Sequence, residues 1–83
     1  MVLVRPRPLT LSDAELGDAE PSVATDEILV NAWVRFPETP IRVHARVIAW
    51  TDHAVQVEWT MHDGATHRAW VWKGAISPRG TNP

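Results

Sequence analysis

Apolar and polar side chains alternate with a period of two in four segments of the chain. The four segments are residues 28–36, 41–50, 53–61 and 66–72. In the second segment Val43, Ala45 and Val47 share one face, whereas Arg42 and Arg46 share the other. Because successive side chains of a strand point to opposite faces of a sheet, this pattern predicts four half-buried β-strands.

Turn-forming residues separate the four predicted strands. Two prolines stiffen the first connection, and the pair Thr51-Asp52 suits a tight turn between the second and third strands. Asp63-Gly64 precedes the fourth strand and is typical of a β-hairpin, because glycine adopts positive φ without steric cost. We therefore expect consecutive antiparallel strands, followed by a 3₁₀ turn and a brief closing strand.

The N-terminal segment differs from the rest in composition. Ser12 and Glu15 have the spacing of a capping box, and Gly17 follows at a position that ends a helix. The residues after Gly17 are acidic and small, as in a linker. The predicted organisation is an extension over 1–26 with a short helix near 13–16, a β-domain over 27–78 and a flexible tail over 79–83.

Composition limits the classes of protein to which the chain can belong. Its 83 residues suffice for one domain, and the absence of cysteine excludes disulfides and thiolate metal sites, which fits a reducing cytoplasm. It contains no apolar run of the roughly 20 residues that a membrane-spanning helix needs, and prolines interrupt its N-terminus. We expect a soluble cytoplasmic protein with no membrane partner.

Charge is distributed unevenly along the chain. The net charge of -2 argues against nucleic-acid binding by bulk electrostatics alone. Residues 10–27 hold six carboxylates and no lysine or arginine, whereas residues 41–83 hold five basic and three acidic side chains. The acidic segment is either a solvated linker or an arm that folds over the basic face of the sheet.

The alternation assigns each side chain of a strand either to the inward phase, which faces the core, or to the outward phase, which faces solvent. Trp59 falls on the inward phase and the other four tryptophans on the outward phase. The predicted core residues are Val30, Val34, Phe36, Val43, Ala45, Val47, Val55, Val57 and Val71. The candidate binding residues on the outward phase are Trp33, Trp50, Trp70, Trp72, Arg42, Arg46 and Arg68.

The outward set suits an interaction surface. Tryptophan rings stack on bases, proline rings or guanidinium groups, and arginines pair with phosphates or carboxylates. We expect Trp50, Trp70 and Trp72 to form one patch with Arg46 and Arg68. The alternatives are that a bend exchanges the two phases, that the N-terminal segment covers the rings, or that a dimer interface buries them.

Residues 41–78 resemble a known small fold. The order "IRVHARVIAW", "AVQVEW", a turn with "DG", "AWVW" and "AISP" is similar to the SH3-like small barrel of Tudor and KOW-type modules. The resemblance implies an all-β, SH3-like barrel of four to five antiparallel strands, with Trp59 and Trp70 or Trp72 near its binding rim. The composition also resembles that of small actinobacterial and actinophage proteins, which implies no function.

Catalytic and metal-binding patterns are not assembled in the sequence. Of the four histidines, only His62 and His67 could meet, across the Asp63-Gly64 turn, and no third ligand accompanies them. The serines lie in predicted loops without a nearby histidine and carboxylate. We expect neither an enzyme nor a cofactor or metal ion.

A non-catalytic binding module is the interpretation that best fits these observations. Another protein is the expected partner, because tryptophan and arginine are typical interface anchors and the net charge is negative. One alternative is nucleic-acid binding through Arg42, Arg46, Arg68 and Lys73, with the acidic arm masking that face. The other is self-association, as a homodimer, through the tryptophan face.

Overall fold

An antiparallel β-sheet makes up most of the protein, in agreement with the predicted all-β class. The computed structural model describes residues 8–18, 20–37 and 39–78; the predicted tail over 79–83 lies outside them. No helix in those ranges has the length and apolar character needed to span a membrane. In chain order the elements are α1 (Asp13–Leu16), β1 (Ser22–Val23), β2 (Leu29–Arg35), β3 (Pro40–Trp50), β4 (Ala54–Thr60), β5 (Thr66–Trp72), a 3₁₀ turn (Lys73–Ala75) and β6 (Ile76–Pro78).

The strands pair in the order β5-β4-β3-β2-β6. The four predicted strands correspond to β2 to β5, and the predicted 3₁₀ turn and closing strand are both present. Residues 22–23, within the segment expected to be a linker, form β1 and pair with the end of β3. The long strand β3 therefore contacts three other strands, β1 and β2 along one edge and β4 along the other.

Hydrogen bonds from side chains and one glycine stabilise a helix start and two turns at positions that the sequence predicts. The Ser12 hydroxyl accepts a hydrogen bond from the Glu15 N–H at 3.2 Å, and Glu15 Oε1 accepts one from the Ser12 N–H at 3.0 Å, which completes the capping box of α1. In the β4–β5 hairpin Gly64 has φ +88°, a conformation that favours glycine. The Thr51 hydroxyl accepts from the Ala54 N–H at 3.1 Å and so holds the β3–β4 turn.

A β-bulge near the end of β3 changes which face each residue occupies. Ile48 is the extra residue, since the register passes from Val47 opposite Val57 to Ala49 opposite Gln56. Beyond it, Trp50 lies opposite Val55, a core residue. The register predicted for residues 41–50 therefore shifts at the last two positions, because one residue is inserted. The burial predicted there is found, with Ala49 5% and Trp50 38% exposed.

The core lies against the inward face of the sheet and consists mostly of valine and alanine. Of the predicted core residues, the buried ones are Val30, Val34, Ala45, Val55, Val57 and Val71. Phe36, Val43 and Val47 are only partly buried and pack against that cluster, which corrects their prediction. Phe36 lies beyond the end of β2, Val43 lies where β4 does not pair with β3, and Val47 adjoins the bulge.

We predict that Val57→Ala lowers the free energy of unfolding by about 1 to 3 kcal/mol, because Val57 is completely buried and its loss leaves a cavity. Val47→Ala should cost less, since Val47 is partly exposed. Val23→Ala, a matched change at an exposed valine, should stay within about 0.5 kcal/mol. Denaturant unfolding of the three variants measures their unfolding free energies. An equal decrease in all three variants would contradict the assigned core.

Candidate interaction surface

One row of charged side chains crosses the outward face of three adjacent strands. Arg46 on β3 and Arg68 on β5 both lie opposite Glu58 on the intervening strand β4. Arg46 Nε donates to Glu58 Oε1 at 2.9 Å, and Arg68 Nε donates to Glu58 Oε2. The Glu58 side chain is only 13% exposed, whereas those of Arg46 and Arg68 are 50% and 56% exposed.

The two arginines determine the charge state of Glu58. Hydrogen bonds from Arg68 and then Arg46 hold the pKa of the Glu58 carboxyl below its ordinary value, because they favour the carboxylate, and this outweighs the opposing effect of burial. Glu58 in turn neutralises part of the positive charge of the row. Two of the four cations that a nucleic-acid surface would use are thus already paired within the sheet.

Two tryptophans continue this surface along β5. Trp70 is half-buried and lies opposite Gln56, and Trp72 is 47% exposed and lies opposite Ala54. They share the outward phase of β5 with Arg68, since alternate residues of a strand point to the same face. The structure therefore brings Arg46, Arg68, Trp70 and Trp72 onto one continuous face.

Trp50 does not belong to that face, contrary to the single patch predicted from the sequence. The bulge places it opposite Val55, on the phase of the core, and β1 runs along its other side. Trp50 is nevertheless 38% exposed. The exchange of phases at a bend, weighed above as an alternative, therefore applies to Trp50 but not to Trp70 or Trp72.

Trp33 and Arg42 form a second part of the outward face. Trp33 on β2 lies directly opposite Arg42 on β3 and is 53% exposed. Within the described ranges, Arg42 has neither an ion pair nor a side-chain hydrogen bond. Leu29 is also exposed and lies opposite Arg46, so that β2 and β3 connect this pair to the charged row. Trp33 is the most exposed tryptophan of the chain.

Trp59, the inward tryptophan, is buried as predicted and belongs to an aromatic cluster in the core. The His67 ring lies 5.8 Å from the Trp59 ring and 6.0 Å from the Phe36 ring. Trp59 Nε1 donates to the Met61 sulfur at 3.1 Å. The ring of His67 thus packs among aromatics, and no group of three potential metal ligands occurs within the described ranges.

The N-terminal segment contacts the sheet at a place that the sequence did not predict. The Leu11 N–H donates to the Trp70 carbonyl at 3.0 Å, and the Trp70 N–H donates to the Thr10 hydroxyl at 2.7 Å. Leu9 forms an antiparallel bridge with Arg35. These contacts involve one hydroxyl and backbone groups. Backbone groups are the same in every residue, so no repeating sequence pattern predicts these contacts. By contrast, Glu58 could have been recognised from its outward phase between two strands that carry outward arginines.

Comparison with known proteins provides no precedent for this surface. No family model, curated protein or solved structure matches the chain. The exposed side chains, their charges and the strands that position them are thus the basis for assigning a role.

We predict that Glu58→Gln destabilises the protein by about 0.5 to 1.5 kcal/mol at pH 7, because it removes the carboxylate that both arginines contact. Since the folded-state pKa of Glu58 lies below its ordinary value of 4.5, the carboxylate stabilises the fold above that pH. Its contribution is lost as the pH falls through the lowered folded-state pKa. The stability difference between wild type and variant should therefore shrink in acid.

Denaturant unfolding from pH 7 to pH 3 measures this difference. Glu20→Gln, at an exposed carboxylate in the acidic segment, is the matched control and should leave the unfolding free energy nearly unchanged. A wild-type-to-variant difference that stayed constant across the acid range would refute the role assigned to Glu58.

Proposed function

We propose that the protein is a non-catalytic module that binds another protein through the outward face of β2, β3 and β5. The observation that carries the proposal is the exposure of Trp33 beside Arg42, which has no ion pair within the part of the chain that the structure describes. Tryptophan and arginine are the side chains that most often dominate interface energies. Leu29 and Trp72 extend the exposed apolar area, and such an area on a small domain is typical of a partner-binding site.

The charge arrangement favours a protein partner over a nucleic acid. A nucleic-acid surface needs arginines free to contact phosphates, and Glu58 already binds Arg46 and Arg68. The remaining free charge at Arg42 is enough to select a carboxylate on a partner but adds little bulk attraction. Alternating apolar and charged groups also match the composition of a protein interface, with its apolar centre and polar rim.

We further propose that the sheet is an SH3-like barrel. The strand order β5-β4-β3-β2-β6 supports this, as does a long bent strand β3 that pairs within both halves of the sheet. The 3₁₀ turn at Lys73–Ala75 directly before the closing strand is a further point of similarity. In this arrangement the outward faces of β2 and β3 are accessible to a partner without any change in the core.

Trp33→Ala is expected to abolish capture of the partner while leaving the fold intact, because the ring is exposed and lies outside the core. The measurement is affinity capture from the native host with wild-type and variant chains at equal concentration. Trp50→Ala is the matched control, since it removes another partly exposed tryptophan on the opposite phase, and it should retain capture. Equal loss in both variants, with unchanged unfolding midpoints, would contradict the proposed face.

The nucleic-acid alternative makes a different prediction for Glu58→Gln, which frees Arg46 and Arg68. If the protein binds only proteins, the variant should show no affinity for single- or double-stranded DNA or RNA in a mobility assay at low salt. A gain in affinity that falls steeply with salt would instead support nucleic-acid binding. Sedimentation velocity of the wild type tests self-association separately, and a monomer is expected.

A further inference from the structure

Residues 8–11 form a short extended strap along the outer edge of β5. Leu11 donates its N–H to the Trp70 carbonyl, and the Trp70 N–H is bound by the Thr10 hydroxyl. At its other end the Leu9 N–H donates to the carbonyl of Arg35, at the end of β2. The strap thus connects two strands that do not pair with each other.

The edge of β5 has the chemistry of a site for an extended peptide. β5 is the terminal strand of the sheet, so the backbone groups of its alternate residues point away from β4. Trp70 is one of these residues, and by the same alternation Arg68 and Trp72 face the same edge. Unpaired strand edges bind extended segments through backbone hydrogen bonds, with side-chain contacts adding selectivity.

We infer that this edge is a binding site for an extended, uncharged segment of a partner protein, with serine or threonine between apolar residues, and that the strap is its intramolecular competitor. The hydroxyl is required because Trp70 N–H donates to a side-chain oxygen, Thr10 Oγ1, rather than to a carbonyl. The apolar flanks follow from Leu9 and Leu11, the residues on either side of Thr10 in the strap. The inference concerns the backbone edge and does not depend on the Trp33 surface.

The strap can leave the edge without disturbing the core. Leu9 and Thr10 are exposed, and α1, which follows the strap, buries none of its residues. Segments with few buried contacts open at low free-energy cost compared with core strands. An external segment of matching chemistry can therefore replace the strap while the sheet stays folded.

The test uses the full chain and a fluorescein-labelled synthetic peptide with the sequence of residues 8–12. Leu11→Pro removes the N–H that donates to Trp70 and so frees the edge, whereas Leu11→Val keeps this N–H and is the matched control. Fluorescence anisotropy should show binding to Leu11→Pro roughly tenfold tighter than to wild type or Leu11→Val, because only the strap-free fraction binds the probe. Replacing threonine by valine in the probe should weaken its binding about fivefold.

Two outcomes would overturn the inference. One is a folded Leu11→Pro chain, with fast hydrogen exchange at the Trp70 amide, that binds the probe no better than wild type. The other is equal binding of the threonine and valine probes. If Leu11→Pro does not fold, Thr10→Val in the full chain replaces it, because this change weakens the strap without altering the backbone. It should also increase binding of the unmodified probe severalfold.

Discussion

The bulge in β3 is the feature on which the rest of the surface depends. β3 pairs with β1, β2 and β4, so a change in its phase alters what three strands present to solvent. The extra residue, Ile48, places Ala49 opposite Gln56 and Trp50 opposite Val55. An open cleft of about 280 Å³ lies beside it, between residues 23–27 and 46–48. Without the bulge, Trp50 would join Trp70 on one face.

The ion pairs of Glu58 restrict the chemistry that the outward face can offer. Glu58 lies on the strand between its two arginines, so its carboxylate contacts side chains of both β3 and β5. The arginine side chains stay about half exposed, which leaves their remaining N–H donors available to a partner while their net charge is reduced. The choice of a partner by this face then depends more on hydrogen-bond geometry and contact with the tryptophan rings than on long-range electrostatic attraction.

The sequence predicted the regular parts of the fold because period-two alternation and turn residues act locally. The helix at Asp13–Leu16 and the hairpin at Gly64 follow from such local rules. The bulge could not be placed because the run Val-Ile-Ala-Trp at its site is entirely apolar, so no change of phase is visible there. The strap was missed for another reason: its contacts use backbone groups and the Thr10 hydroxyl, which no spacing rule links to Trp70.

The placement of the tryptophans agrees with the binding role proposed for this surface. The core of the domain is built from valine and alanine, with Trp59 as its one tryptophan. Burying a large aromatic ring stabilises a fold by roughly 1.5 to 3 kcal/mol, a large fraction of the stability of so small a domain. Trp33 and Trp72 forgo about half of that gain by remaining exposed. An exposed ring contributes such energy only when a partner covers it.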